Sequence, residues 1–342
     1  MKKATIVAVA VLAASAATTA TPSKCGTAPT IDFIFRTFQT HPLVLLGEQH
    51  RRKEFHEFLQ ALLQDPRFLR AIDDVVVEFG NGKYQSVIDR YVSGAAVDDG
   101  ELQRVWRDTT QIVTWDSPVY RDFFRSVRAL NARHPHHPVR VLLGDPPIDW
   151  STVRTADDYG RFADRDRFFT NVVEREVLAR NHRGLLISGN EHVIRTGKAE
   201  PASAHPGAGE LLRTERPGTS YAIFTVPPRR PLSGLADCHP VALDTAGDIG
   251  AHPFSEMMES GVMVRRIVDG KPRWMPMSSK NSPPLREKAD AVIWLGATTT
   301  EVAAPADVWT DAAYLAEVRR RAKIMSDFFG LDLTADLPPM KP

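Results

Sequence analysis

The chain has 342 residues, of which 43% are hydrophobic and 25% are charged, as in an ordinary globular protein. Its 43 lysines and arginines nearly balance its 42 aspartates and glutamates, so no net charge draws the whole chain to nucleic acid or to an anionic membrane surface. Composition therefore argues against a disordered chain and against a nucleic-acid-binding protein.

The first segment of the chain has the pattern of a secretory signal peptide. Lys2 and Lys3 precede an apolar run that begins at Ala4, and the small residues "ASAA" follow that run. We predict a signal peptide over residues 1–20 and a periplasmic or secreted protein. The apolar run is shorter than the roughly 18 to 20 residues that a transmembrane helix requires, and no later run is longer, so we expect no membrane span.

Six short apolar runs, rich in β-branched residues, predict the strands of an α/β protein. They cover residues 43–47, 74–79, 139–145, 184–190, 220–226 and 290–296. Their hydrophobicity is continuous rather than alternating, which is typical of parallel strands buried on both faces. Because helical patterns lie between these runs, the predicted fold class is α/β, with a mostly parallel sheet flanked by helices on both faces.

The segments between and after these strands complete the predicted organisation. Helical spacing runs from Phe55 to Leu63 until Pro66 interrupts it, and residues 83–92, 118–133 and 311–329 predict further helices. Residues 227–285 are irregular and predict an insertion or lid that contains a hairpin with an Asp-Gly turn. No linker or internal repeat divides the chain, so we predict one domain over residues 28–335.

Four of the predicted strands end in ionisable side chains. These are Glu48 and His50 at the first strand, Glu78 at the second, Asp145 at the third, and Glu191 and His192 at the fourth. Because the carboxyl ends of parallel strands form one edge of a sheet, these side chains should converge on one site. Residues two apart in an extended segment point the same way, so Glu48 and His50 should share one small volume.

A purely structural reading of these residues is the alternative. A carboxylate at a strand end can cap a helix or pair with a buried arginine, and a lone histidine is more often structural than catalytic. Glu78, however, follows three valines and is costly to bury without a partner. Two histidines, His50 and His192, at the ends of two strands also favour a shared functional site over a structural cluster.

Several catalytic and metal-binding motifs are absent from the sequence. There is no Gly-x-Ser-x-Gly elbow and no phosphate-binding glycine loop. His56 lies six positions after His50, a spacing that does not share a helix face, so the two do not form a paired-histidine zinc helix. Only two cysteines, Cys25 and Cys238, are present, which excludes a thiolate zinc or iron–sulfur site. In an oxidising compartment they can form a disulfide, and two unpaired thiols are the alternative.

Short motifs that occur in order along roughly residues 40–300 carry a resemblance to a known superfamily. They are "LLGEQH", "VVVEFGNGKYQSVIDRY", "FFRSVRALNA" before "VRVLLGD", "DRDRFFTNVVEREV" and "GLLISGNEHV". The set resembles the superfamily that contains the erythromycin esterases, the ChaN-like haem-binding proteins and the TraB/Tiki proteins. This resemblance implies an erythromycin esterase-like, ChaN-like α/β fold.

The esterase branch of that superfamily implies a role for each matching residue. His50, in the Gly-Glu-x-His motif, would act as general base on water, Glu48 and Glu78 would orient the base or bind a cation, and His192 would hold the substrate or stabilise the oxyanion. The surrounding substrate or polar network would consist of Asp145, Arg165, Asp166, Glu191 and Arg51. The esterases carry a longer small-residue stretch before the histidine, so a macrolide substrate is not implied.

The other two branches imply bound groups. The Tiki branch implies a divalent metal for peptide hydrolysis, and Glu48, His50, Glu78 and His192 are suitable ligands. The ChaN-like branch implies haem or iron, with axial ligation by Tyr84, His50 or His192. Arg51 and Arg52 would then contact the propionates.

The sequence therefore predicts an exported hydrolase of ester or amide bonds that acts on a small-molecule or peptide substrate. Metal-free and metal-assisted catalysis need the same residue types, so the sequence leaves both open. The alternative is a ChaN-like haem- or iron-binding protein without catalytic activity.

Overall fold

A computed structural model describes residues 25–198, 205–226, 238–257, 263–268, 271–276, 282–297, 300–335 and 337. The predicted signal peptide over residues 1–20 lies outside the described residues. Residues 227–237 and the Asp-Gly turn of the predicted insertion also lie outside them.

A mostly parallel sheet forms the centre of the fold. The strands are β1 (Leu43–Glu48), β2 (Asp74–Asn81), β3 (Arg140–Asp145), β4 (Gly184–Gly189), β5 (Ser220–Val226), β6 (Val241–Asp244), β7 (Met263–Val268), β8 (Lys271–Pro276) and β9 (Ala291–Trp294). Within the described residues, seven of them form one sheet in the order β3-β2-β4-β1-β5-β9-β6, and β7 and β8 form a separate hairpin. In the larger sheet β6 is antiparallel to β9, whereas the other pairs are parallel.

Helices of very different length connect the strands. They are α1 (Thr27–Thr37), α2 (Lys53–Gln64), α3 (Phe68–Ala71), α4 (Gln85–Val92), α5 (Asp99–Arg107), α6 (Pro118–Arg133), α7 (Ala156–Gly160), α8 (Arg165–Val172), α9 (Asn190–Val193), α10 (Ala208–Glu215), α11 (Leu285–Lys288) and α12 (Ala312–Phe329). Helix α12 ends at Gly330, whose φ of 68° is the left-handed conformation that glycine adopts at helix ends. In the described part of the chain, no helix has the length and hydropathy that a bilayer span requires.

The sheet is covered by helices on both faces. Val44 and Leu46 of β1 belong to the apolar cluster that includes residues of α1, α2, α4, α5 and α6. Leu43 and Leu45, whose side chains point to the opposite face, belong to the cluster that includes α8 and α10. Burial on both faces explains the continuous hydrophobicity of the strand sequences, and the predicted α/β fold class is confirmed.

The structure adds elements that the sequence patterns did not predict. Strand β6 lies within residues 227–285, so part of the segment that we expected to be an insertion or lid belongs to the main sheet. Helix α5 is also additional, and its strongly polar sequence explains why it was missed. The predicted hairpin is present, since Val268 of β7 pairs with Lys271 of β8.

A disulfide joins the start of the described chain to the segment that leads into β6. It links Cys25 and Cys238, whose Cα atoms are 5.0 Å apart. Next to it, the backbone N–H of Gly26 donates to the carbonyl oxygen of Pro240 at 2.9 Å. The N-terminal end of α1 is therefore fixed to the β6 side of the sheet.

Candidate active site

Strand order brings the predicted site residues to one edge of the sheet. Strands β3, β2, β4 and β1 are neighbours in that order, so their carboxyl ends lie side by side. Asp145 closes β3, Glu78 lies near the end of β2, His192 follows β4 in α9, and Glu48 closes β1. Glu48 lies opposite Gly189 in the register of β1 and β4.

A bulge in β2 sets the position of Glu78. Val77 pairs with Leu143 of β3, but the next pair is Asn81 with Asp145, so β2 contains extra residues at this point. Bulges of this kind change the direction in which a side chain points. A Cβ atom at Gly80, within the bulge, would lie 2.4 Å from a methyl carbon of Leu143, so a larger residue there would force that side chain to shift.

Glu48 and His50 form the central pair of the site. The Nδ1 atom of His50 lies 2.7 Å from Oε1 of Glu48, and the Tyr120 hydroxyl donates to the same oxygen at 3.1 Å. The indole of Trp115 packs edge-to-face on the imidazole, with ring centroids 4.6 Å apart. The Glu48 side chain is fully buried whereas that of His50 is 27% exposed. In the described residues, no hydrogen-bond partner reaches Nε2 of His50, which is therefore available for chemistry.

Surrounding carboxylates increase the proton affinity of His50. Burial by itself would lower its pKa, but the hydrogen bond to Glu48 and the negative charges of Glu78, Glu48 and Glu191 outweigh burial. The pKa is therefore raised above the ordinary value of 6.5. Glu191 acts only through its charge, since it is exposed at the rim of the site.

The chain turns sharply directly after His50. Arg51 has a φ of 64°, which is unusual for a residue with a side chain. Its backbone N–H donates to the Tyr120 hydroxyl oxygen at 3.0 Å, and its guanidinium contacts Glu301 at 2.9 Å. Strained backbone of this kind often occurs at functional sites. Here it places Arg51, Tyr120, Glu48 and His50 in one chain of contacts.

Gly189 lets the two halves of the site approach each other. A Cβ atom at this position would lie 3.0 Å from Cε1 and 3.1 Å from Nε2 of His50. The Gly189 N–H donates to Oε2 of Glu78 at 2.6 Å. Gly47 makes room for Asn190, because a Cβ atom at Gly47 would lie 2.2 Å from the side-chain oxygen of Asn190.

Arg165 joins two buried carboxylates behind His50. It donates to Glu78 at 2.6 Å and to Asp145 at 3.1 Å, and all three side chains are buried. Although burial would raise the pKa of Glu78, the positive charges of Arg165 and His192 hold that pKa well below its ordinary range. For Asp145, burial prevails over Arg165 and over two hydrogen bonds from Thr110, and it raises the pKa to about 6.

His192 is held between two carboxylates. Its Nδ1 atom lies 2.8 Å from Asp166, and its Nε2 atom lies 3.3 Å from Glu78. Burial would lower its pKa, but the charges of Asp166 and Glu78 raise it to about 10. His192 is therefore protonated, and both of its ring nitrogens are engaged. Neither nitrogen is therefore free for the substrate contact that the resemblance implied.

The residues proposed as metal ligands do not fit a metal site. Among the described residues, no three His, Cys, Asp or Glu side chains are arranged to hold a metal ion. Glu78 already accepts hydrogen bonds from Arg165 and from Gly189. His192 is also engaged, because its Nδ1 atom lies 2.8 Å from Asp166 and its Nε2 atom lies 3.3 Å from Glu78.

The residues proposed as haem ligands fit only in part. The Tyr84 hydroxyl is buried and donates to Asp108 at 2.8 Å, and both nitrogens of His192 are engaged. His50 alone of the three proposed ligands offers an accessible ring nitrogen. Arg51, proposed as a propionate contact, already pairs with Glu301.

Sequence patterns missed several residues that complete the site. Tyr120 and Trp115 contact Glu48 and His50 from a segment about 70 positions further along the chain, and no local pattern indicates such contacts. His56 was considered only as a zinc ligand, yet its ring lies beside Glu48. Thr110 holds Asp145 through two hydrogen bonds.

Two cavities in the described part of the chain lie away from the site around His50. One of about 670 Å³ lies between α5 and α12 and is rich in arginine. Most of its arginines already have acidic partners, such as Arg321 with Asp108 and Arg320 with Glu317. Another, of about 810 Å³, lies beside α10 and β5. Neither cavity therefore adds a residue to the network around His50.

Comparisons with known proteins support the fold. No protein-family model matches the sequence, and no curated protein is significantly similar to it. A solved structure of a Bacillus cereus protein is 11% identical, with a TM-score of 0.50, and covers 82% of this chain and 94% of its own. A mutant of the erythromycin esterase EreC in its open conformation is 13% identical, with a TM-score of 0.50, and covers 82% of this chain and 96% of its own.

A haem-bound structure of ChaN from Campylobacter jejuni is also similar, but more weakly. It is 12% identical, has a TM-score of 0.36, and covers 57% of this chain and 85% of its own. A structural similarity this weak is no ground for assigning haem to this chain. At the identities found, the two stronger similarities concern architecture and not activity. The chain has the erythromycin esterase-like fold that the order of its sequence motifs implied.

Proposed function

We propose that this chain is a hydrolase that cleaves an ester or amide bond with His50 as its general base. The observation that supports this most is the pairing of His50 with the buried Glu48 at 2.7 Å, with the other ring nitrogen accessible at the carboxyl edge of the sheet. A carboxylate that orients an imidazole in this way is a recurrent arrangement in hydrolytic enzymes.

The pairing assigns the chemistry to one nitrogen. The carboxylate of Glu48 accepts a hydrogen bond from Nδ1–H of His50, so the lone pair of the neutral ring lies on Nε2. Nε2 removes a proton from water while the water oxygen forms a bond to the substrate carbonyl carbon. When the tetrahedral intermediate collapses, protonated His50 gives that proton to the leaving oxygen or nitrogen as its bond to carbon breaks.

The network behind His50 supports this step electrostatically. Arg165 and His192 keep Glu78 ionised. The negative charges of Glu78 and Glu48 then stabilise the imidazolium that forms when His50 takes up the proton. Glu78, Arg165, Asp145, Asp166 and His192 therefore act through His50 rather than on the substrate.

The proposal is tested with a variant that removes the base and preserves its bond to Glu48. In His50→Asn the side-chain amide can still donate to Glu48, but nothing replaces Nε2. We expect turnover of the best substrate from a screen of esters and amides to fall by roughly 10²- to 10⁴-fold, with a melting temperature close to that of the wild type. His134→Asn, in an exposed turn, is the matched control. Unchanged turnover in His50→Asn would contradict the proposal.

The same variant distinguishes hydrolysis from its rivals. A haem titration followed in the Soret region should be flat for the wild type, whereas a saturable change that is lost in His50→Asn would favour haem binding. We expect a chelator to leave turnover unchanged, because the ligands proposed for a metal are engaged with Arg165 and with one another. Loss of turnover that a divalent metal restores would favour the metal-assisted reaction.

We also propose that the protein is exported. The signal-like pattern of residues 1–20 and the disulfide between Cys25 and Cys238 support this, because disulfides persist in oxidising compartments. Mass spectrometry of the protein from a native-like host should find a mature chain that begins near residue 20 in the periplasm or medium. An uncleaved chain confined to the cytosol would contradict export.

A further inference from the structure

Among the described residues, one buried oxygen of Glu48 has no hydrogen-bond partner. Oε1 accepts from His50 and Tyr120, but Oε2 has no donor within hydrogen-bonding geometry, although the Glu48 side chain is fully buried. Nε2 of His56 lies 3.4 Å from this oxygen. Within the described part of the chain neither ring nitrogen of His56 has a hydrogen-bond partner, and His56 is only 4% exposed. A buried acceptor oxygen of Glu48 therefore faces a buried ring nitrogen of His56 that can donate a hydrogen bond.

The chemical state of His56 makes it a suitable donor to Glu48. Burial lowers its pKa and the charge of His50 lowers it further, while Glu48 opposes both, so the ring is neutral and carries one N–H. Glu48 and Tyr120 face the ring directly, and His50 lies across the carboxylate from it. The ring is held edge-to-face against Tyr120, with centroids 5.0 Å apart, and against Phe55 at 5.5 Å.

We propose that His56 is a positioning residue that donates its Nε2–H to Oε2 of Glu48. Together with the hydrogen bond from Tyr120, it holds the carboxylate in the orientation in which Oε1 accepts a hydrogen bond from Nδ1–H of His50. The catalytic meaning of this inference rests on the proposed function, but the positioning itself does not depend on any substrate. Without the donor, a buried carboxylate oxygen is unpaired, and the carboxylate turns away from His50 to reach another donor or water.

The test measures the bond between His50 and Glu48 directly. The Nδ1 proton of a histidine bound to a carboxylate gives a downfield proton NMR resonance, which His50→Asn assigns by its loss. His56→Phe keeps a ring without a donor, and His56→Leu removes both ring and donor. His56→Gln restores a donor near the position of Nε2. We expect the resonance to be lost in the Phe and Leu variants and retained in the Gln variant.

Each other outcome overturns the inference. If all three variants keep the resonance and differ only in melting temperature, His56 merely fills space. If all three lose it, the shape of the ring matters rather than its donor. When a hydrolysed substrate is known, kcat should be about tenfold lower in His56→Phe with little change in KM, as expected for one hydrogen bond. A protein that hydrolyses nothing but loses the resonance as expected would contradict the proposed function and leave the role of His56 intact.

Discussion

Glu48 is the residue on which the electrostatics of the site depend. Its carboxylate is fully buried, and the polar groups around it are the Tyr120 hydroxyl and the imidazoles of His50 and His56. In the described residues, no arginine or lysine pairs with it, in contrast to Glu78 and Asp145, which share Arg165. The negative charge of Glu48 is therefore directed mainly at His50.

Replacing Glu48 by glutamine should lower the pKa of His50. Burial of the imidazole, which lowers its pKa, would remain, while the charge-assisted hydrogen bond and the charge that raise it would be lost. The rising limb of the pH–rate profile should move to lower pH, and maximal turnover should fall because the base is weaker. NMR titration of His50 measures the shift. Glu191→Gln, which removes an exposed charge without a hydrogen bond, should give a smaller shift, and an equal shift in both variants would contradict this argument.

His192 should make folding stability depend on pH in the alkaline range. Its pKa is about 10 in the folded chain and near 6.5 when unfolded. The stability that it contributes is therefore fully present below pH 6.5 and is lost as pH rises through about 10. Urea unfolding between pH 6 and pH 10 should show a steeper loss of stability in the wild type than in His192→Gln. Equal slopes in the two proteins would mean that His192 is not protonated.

At the scale of elements, Arg165 connects three parts of the fold. It lies at the start of α8 and bonds to Glu78 of β2 and to Asp145 of β3. Without it, two buried carboxylates would face each other across a bulged strand pair. The arginine therefore compensates the buried acidic residues near the carboxyl ends of β2 and β3.

Replacing Arg165 by methionine should strongly destabilise the fold. Removal of one partner from a buried ion pair leaves an uncompensated charge, which typically costs about 3–5 kcal/mol. Arg167→Met, two residues further along α8, removes an exposed pair with Glu215 and should change stability little. The free energies of unfolding from urea titrations provide the comparison. Similar stability for the two variants would show that the charges in the buried cluster are already compensated elsewhere.

The sequence predicted elements well where one local pattern decided them. The strands β1 to β5 have continuous apolar runs because both faces are covered, and each was predicted to within two residues. Strand β6 has only four residues, two of which are not buried, so its pattern is too short to recognise. The convergence of Glu48, Glu78, Asp145 and His192 followed from topology. The contact from Tyr120 to Glu48 spans 72 positions and depends on how α6 packs, which no local pattern records.

At the scale of the whole molecule, the disulfide closes a very long loop. Cys25 and Cys238 are 213 positions apart, and all four strands whose ends form the site lie between them in sequence. Cross-linking over such a distance restricts the unfolded chain more than it changes the folded one. Its effect should therefore appear in stability and not in the geometry around His50.

Removing the disulfide should lower stability while preserving the site. Replacing both cysteines by serine should destabilise the protein by roughly 2–4 kcal/mol in urea unfolding. The NMR resonance of the Nδ1 proton of His50 should be unchanged under native conditions. The wild type with a reducing agent should unfold like the double variant, whereas the double variant itself should not respond to reductant. A wild type that is insensitive to reductant would show that the two cysteines are not bonded.

The order of strands also determines when the site can exist. Strands β1 and β2 do not pair with each other, and each pairs with β4, which lies between them in the sheet and is the fourth strand in sequence. A nascent chain that ends before Gly184 thus has Glu48, His50 and Glu78 but lacks the strand that brings them together. The polar cluster assembles only after β4 has been inserted, so under the export that we propose, an unfolded chain in transit would carry Glu48, His50 and Glu78 in an inert form.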